Sequence, residues 1–167
     1  MDIYILRHGI AVEAGTPGYE NDAKRPLTSK GKRQLHKSAA TMKKMKLKFD
    51  LILSSPLERA KRTAEIIAEE LKLTKKLKFT DALKNEYAPE KLIGEIVALK
   101  PQPKNLLLVG HEPYLSRLVS RLISVDEELA MDFKKGGLCK LEVEALGFGK
   151  CAQLAWLLTP KQMKQIA

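Results

Sequence analysis

Ile3-Tyr4-Ile5-Leu6-Arg7-His8-Gly9 decides how this chain is read. Four consecutive apolar residues without polar alternation describe a strand buried on both faces, as in a parallel sheet covered by helices. The run then gives way to an arginine, a histidine and a glycine, where a strand passes into a loop. In open α/β sheets, ligands bind at the carboxyl ends of the strands. A histidine there can act as a nucleophile, and a neighbouring guanidinium can hold a phosphoryl oxygen. The glycine lets a ligand approach the backbone. By itself the tripeptide is equally compatible with a hydrogen-bonded structural histidine.

Two later segments offer the same chemistry. In Leu51-Ile-Leu-Ser-Ser-Pro-Leu-Glu-Arg-Ala-Lys-Arg-Thr-Ala64 a short apolar strand ends at Ser54-Ser55, Pro56 suits the first turn of a helix, and Arg59 falls in that turn. The positive end of the helix dipole favours an anion at the same place. In Leu106-Leu-Leu-Val-Gly-His111-Glu-Pro113 an apolar strand ends in glycine and histidine before a proline that opens a helix. Should these strands be neighbours, Arg7, His8, Arg59 and His111 converge on one cationic pocket, with no carboxylate required to ligate a metal.

The remaining pattern alternates strand and helix, which predicts an α/β sandwich with a largely parallel sheet. Strands are expected at 2–6, 51–54, 77–80, 106–110, 138–145 and 152–158. Residues 10–27 read as a loop, and Thr28 as the N-cap of a helix whose Leu35, Ala39 and Met42 face the core. A second helix spans 57–71, with Ala60, Ala64, Ile67 and Leu71 as its apolar stripe. Pro89, Pro113 and Pro160 open three more, and Leu146-Gly-Phe-Gly149 suits a hairpin. With neither repeat nor low-complexity linker, residues 1–167 read as one domain.

Four motifs occur in order: Arg7-His8-Gly9, Arg25-Pro-Leu-Thr28-x-x-Gly31, Ser54-Ser-Pro-x-x-Arg59-Ala-x-x-Thr63-Ala64 and Gly110-His111. This set resembles the histidine phosphatase superfamily, also called phosphoglycerate mutase-like. The Arg-Pro-Leu-Thr segment and the short chain are most like its SixA-like phosphohistidine phosphatases. The resemblance implies a three-layer sandwich with a central, mostly parallel sheet flanked by helices. It also implies a phosphatase that needs neither metal nor cofactor and works through a phosphohistidine on His8, with Arg7, Arg59 and His111 holding the phosphoryl group. Implied substrates are phosphohistidine on a signalling phosphotransfer domain or a phosphocarrier protein. A small-molecule phosphomonoesterase and a non-catalytic phosphoprotein-binding module are the alternatives.

Two site residues stay open. Arg25 could touch substrate phosphate or only pin its loop. Glu86, in Asn85-Glu86-Tyr87-Ala88-Pro89, is the candidate for the general acid that mutase-type members use against an alkoxide leaving group; a surface glutamate is its rival reading. Without an acid the substrate needs an easy leaving group, and the imidazole of phosphohistidine departs more readily than an alcohol. His36, inside a lysine-rich helix, is expected at the surface.

Composition narrows the classes further. The formal charge is +10, which invites a nucleic-acid reading. Few aromatics are present to stack bases, and Lys30, Lys32, Lys37, Lys43, Lys44, Lys46 and Lys48 spread through one helix and its exit, as in a solvated face. No nucleic-acid partner is therefore expected, although a basic surface would steer phosphorylated or acidic partners inward. There is no phosphate-binding Gly-x-x-x-x-Gly-Lys-Ser/Thr loop, no Gly-x-Gly-x-x-Gly, and no paired Cys or His at metal-ligand spacing. No apolar stretch approaches the roughly 20 residues that span a bilayer. Cys139 and Cys151 read as reduced thiols, and a cytoplasmic location is the default expectation.

Overall fold

The computed structural model describes residues 1–124 and 129–167. In chain order the elements are β1 (Asp2–Arg7), α1 (Ser29–Lys44), β2 (Leu51–Ser54), α2 (Glu58–Glu70), β3 (Leu77–Phe79), α3 (Pro89–Val97), β4 (Asn105–Gly110), α4 (Tyr114–Ile123), β5 (Leu138–Val143), β6 (Ala152–Leu158) and α5 (Pro160–Ile166). The strands form one sheet in the order β3-β2-β4-β1-β5-β6. β3, β2, β4 and β1 pair in parallel. β5 runs antiparallel to β1, and β6 antiparallel to β5, so β6 again points the same way as β1.

The uninterrupted apolar runs follow from burial on both sides. Along β1, Ile3 and Ile5 enter one core with Leu106 and Leu108 of β4, beneath Leu92, Ile93 and Ile96 of α3 and Leu115, Leu118 and Leu122 of α4. Tyr4 and Leu6 enter the opposite core with Leu107 and Val109, beneath Ala39 and Met42 of α1, Ala60, Ala64 and Ile67 of α2 and Met163 of α5. The result is a three-layer sandwich with a mostly parallel central sheet, as expected.

Local chemistry sets the helix ends. Thr28 caps α1, its Oγ1 accepting from Gly31 N–H at 3.0 Å. Thr159 and Gln162 form a reciprocal capping box on α5. α2 begins later than the sequence suggests: Leu57, extended at φ −62° and ψ 136°, is its N-cap, so Pro56 precedes the helix instead of opening it. Ser55 accounts for the delay, its Oγ accepting from Leu57 N–H at 3.3 Å and holding a turn there. β3 is one residue shorter than expected and β5 two, and a 3-10 turn at Asp22–Lys24 lies within the long loop. Cys139 and Cys151 are both free thiols.

Register places the functional ends together. Arg7 of β1 pairs with Gly110 of β4, and Ser54 of β2 with Val109. β4 thus lies between β1 and β2, and all three release their chains at one edge of the sheet.

Candidate active site

His8 follows directly from β1, with its backbone N–H bonded to Gly110 O at 3.0 Å. The ring is 5% exposed. Its Nδ1 lies 2.7 Å from Gly9 O. A carbonyl only accepts, so Nδ1 carries the proton and Nε2 presents its lone pair. Arg59 Nε donates to that Nε2 at 3.3 Å. Burial is the main force holding the imidazole neutral. It drives the pKa down to about 3, aided by the cationic surroundings and opposed by the Gly9 carbonyl.

His111 lies beside it, with ring centroids 5.2 Å apart and planes at 52°. It is 1% exposed, and its Nε2 is 2.8 Å from Ser55 Oγ. Its pKa is also pushed to about 3, first by burial and then by Arg59. Arg7 points one nitrogen at the Phe133 carbonyl, with Nη1 to O at 2.6 Å. Arg7 Nε and His111 Nδ1 are buried without a hydrogen-bond partner among the described residues. Buried polar atoms in folded proteins are nearly always paired, so two orphans beside one neutral imidazole describe a place built to receive hydrogen-bonding atoms from a ligand.

Arg59 is 4% exposed and stands in the first turn of α2. Its Nη1 donates to Asp22 O at 2.8 Å, and its Nη2 pairs with Asp22 Oδ2 at 3.1 Å. Arg25 takes the other carboxylate oxygen, with Nη2 to Oδ1 at 2.7 Å, and ties the loop through Nη1 to Val12 O at 2.6 Å. Partial desolvation works against the Asp22 carboxylate, but Arg25 and Arg59 outweigh it and hold its pKa low. Arg25 thus holds the loop through Val12 and Asp22, and its charge also reaches His111 and Arg59.

The segment around Gly31 is locked sterically. Thr28 N–H donates to Ile10 O at 2.9 Å, and a Cβ at Gly31 would stand 2.2 Å from that same oxygen. Thr63 couples the remaining parts: its Oγ1 accepts from Gly9 N–H at 3.1 Å and donates to Arg59 O at 2.7 Å.

Glu86 lies outside this arrangement. It is exposed, with Lys84 Nζ 4.0 Å from Oε1. The carboxyl groups whose charges reach Arg7 are Glu112 first and Asp132 second, neither of which the sequence singled out. Burial raises the pKa of Glu112, whereas Ser116 opposes the rise by donating Oγ–H to Oε2 at 2.6 Å and N–H to Oε1 at 3.2 Å. Asp22 was also missed, since nothing marks one aspartate in an irregular loop. His36 is at the surface, on Glu70 at 2.9 Å. Among the described residues, no group of three or more His, Cys, Asp or Glu could hold a metal ion. None of the helices there is long and apolar enough to cross a membrane.

Residues 3–87 match the family model of the histidine phosphatase superfamily, branch 1. The chain belongs to that superfamily, whose members include phosphatases. It is 33% identical to an uncharacterized protein of Picosynechococcus sp. over 84% of each chain. Among solved structures, it is similar to the protein histidine phosphatase SixA complexed with tungstate, with a TM-score of 0.85, 24% identity and coverage of 98% of this chain and 100% of the other. A protein assigned as the phosphohistidine phosphatase SixA of Agrobacterium tumefaciens gives 0.74 and 26%, covering 95% and 98%. The fold is also shared with a protein assigned as an alpha-ribazole-5'-P phosphatase of Escherichia coli, at a TM-score of 0.75 and 20% identity over 96% and 97%.

Proposed function

We propose that this protein is a metal-independent phosphatase that removes the phosphoryl group from phosphohistidine on a signalling or phosphocarrier protein. The observation that carries the proposal is the state of His8: neutral, with its proton on Nδ1, donated to the Gly9 carbonyl, and its Nε2 lone pair beside Arg59. In the first step Nε2 attacks phosphorus, and the bond from phosphorus to the substrate nitrogen breaks as that nitrogen takes up a proton. In the second, water attacks the phosphorus on His8, the Nε2–P bond breaks, and inorganic phosphate leaves with the proton. Arg7, Arg59 and His111 would hold the phosphoryl oxygens through both steps. Phosphoryl transfer depends mainly on such positioning and charge stabilisation.

The leaving group favours phosphohistidine. Glu86 is exposed and beside Lys84, poorly placed to protonate an alkoxide. Glu112 is nearer, and its raised pKa supports a second reading, a small-molecule phosphomonoesterase with Glu112 as acid. Both of its oxygens accept from Ser116, however, which favours the carboxylate form and weakens that reading. The tungstate in the similar SixA structure is a phosphate-like oxyanion, in keeping with a phosphoryl site here. A cytoplasmic location belongs to the same proposal, because phosphotransfer signalling runs there.

The test is phosphate release from a histidine-phosphorylated phosphotransfer domain, beside a panel of phosphomonoesters, with His8→Ala as control. Rapid His8-dependent release from the phosphoprotein with weak ester turnover is expected. Strong turnover of one ester, lost in Glu112→Gln, would replace this reading with the second. Phosphoprotein binding without turnover and without alkali-stable, acid-labile labelling of His8 would leave a non-catalytic binding module.

A further inference from the structure

We propose that the groove between α1 and α5 is a docking surface for an acidic face of the phosphoprotein substrate, an inference that rests on the phosphohistidine reading above. The groove has a volume of ≈ 390 Å³ and is lined by Lys30, Arg33, Lys37, Lys161 and Lys164 around an apolar floor that includes Ile10 and Pro160. Among the described residues no carboxylate lines it. Neither α1 nor α5 contains an aspartate or a glutamate. Several basic residues elsewhere are paired with carboxylates: Lys43 with Glu70, Arg62 with Glu65 and Glu69, Lys84 with Asp81, and Lys140 with Asp2 and Glu142. Among the described residues, none of the five cations of the groove is in an ion pair with a carboxylate. The helix lysines, which in sequence read as a scattered solvated face, are thus gathered in part by the arrival of α5.

Topology brings this groove to the reacting edge. β6 points the same way as β1, so α5 starts where β1 ends. α1 starts there too, directly after the loop anchored on Ile10, two residues beyond His8. Gly136 joins the two places. Its N–H bonds to His8 O at 3.0 Å, and a Cβ on it would lie 3.2 Å from Gln34 Oε1 and 3.5 Å from Pro160 Cγ in the groove wall. Gln34 Oε1, in that wall, is buried with no hydrogen-bond partner among the described residues. A protein delivering its phosphohistidine to His8 would lay its neighbouring surface across these residues. The short, partly apolar groove fits a helix edge bearing carboxylates. It offers no aromatic platform for nucleic-acid bases. A charged rim of this kind acts chiefly on encounter and salt dependence, not on the chemical step.

The test compares wild type with K30E/R33E/K161E in the full chain on two substrates: a histidine phosphotransfer domain, phosphorylated and carrying acidic residues near its histidine, and para-nitrophenyl phosphate. The reversal is expected to lower kcat/KM for the phosphoprotein about tenfold, mainly through KM, and to flatten its salt dependence. Ester turnover should stay within about twofold. A twelve-residue polyglutamate should inhibit the phosphoprotein reaction of wild type but not of the variant. Should the reversal not fold, K30Q/R33Q/K161Q gives the same comparison at smaller amplitude.

An unchanged KM for the phosphoprotein, or equal losses on both substrates, would overturn the proposal. Tighter binding of a twelve-nucleotide oligouridylate than of polyglutamate, abolished by the reversal, would overturn it in favour of a nucleic-acid partner. If wild type leaves the phosphoprotein untouched, the functional reading itself falls. Polyglutamate titration then decides the groove alone, and equal binding by wild type and variant would dismiss it.

Discussion

The two edges of the same sheet treat their polar groups in opposite ways. At the amino edge Asp50 Oδ2 accepts from the N–H groups of both Lys104 and Asn105 at 2.9 Å, and the Met1 amine donates to Val143 O at 2.6 Å. These groups are matched within the chain. At the carboxyl edge, by contrast, two imidazoles are buried neutral, and Arg7 Nε and His111 Nδ1 lack partners among the described residues. The amino edge closes the fold, whereas the carboxyl edge withholds closure where a ligand can complete it. Stability and chemistry are thus separated along the strands, and substitutions should sort accordingly.

The largest expected effect is at His8. His8→Ala should remove turnover by a factor on the order of 10³ or more while the thermal transition survives. Circular dichroism beside phosphate release checks this; a variant that retains turnover would dissolve the distinction between the edges. Arg59→Ala should cost about 10²–10³ in kcat, the scale for loss of one charge-stabilising group. Steady-state kinetics will show whether the loss falls on kcat, as expected, or on KM alone.

Acid should expose the carboxyl edge next. Both histidines have folded pKa values of about 3 against 6.5 when unfolded. Their contribution is complete above the unfolded value and is lost as pH falls from 6.5 toward 3, because the unfolded chain then binds protons that the folded one refuses. Each histidine should withdraw up to about 1.4 kcal/mol per pH unit in that window. Urea midpoints at pH 7, 6 and 5 measure it, and His111→Gln should shallow the slope.

At the amino edge Asp50→Ala should lower stability by about 1 kcal/mol, the net worth of a typical hydrogen bond, with turnover per folded molecule unchanged. The smallest effect is expected of Glu86→Gln, which should leave ester and phosphoprotein turnover within about twofold, as for a surface substitution. A pH-rate profile losing its limb in that variant would place Glu86 in the chemistry after all.

Much of the carboxyl edge was legible in the sequence because each of its junctions carries a local signature. Apolar runs end at Arg7-His8, Ser54-Ser55 and Gly110-His111, and prolines or a helix follow two of them. That β2, β4 and β1 are neighbours was only a condition in the sequence reading, since adjacency in a sheet is a tertiary property that no local signature carries. Asp22 was illegible because its meaning is wholly tertiary: it reaches Arg59 across 37 positions from an exposed 3-10 turn. Glu112 was passed over because its burial depends on the turn into α4 and on Ser116 one helical turn later. Pro56 misled because a proline ahead of a helix suits both N1 and the position before the cap, and the Ser55 turn chose the second.

One hydroxyl described above has a consequence for anyone altering this site. Thr63 holds the amide after His8 and the carbonyl of Arg59 at once, across 54 residues of chain. Changes at His8 and at Arg59 therefore share a mechanical part, and their energies should fail to add. Optimising either residue in isolation, as a stepwise mutational search would, will misjudge the pair; the two have to be varied together, with Thr63 kept.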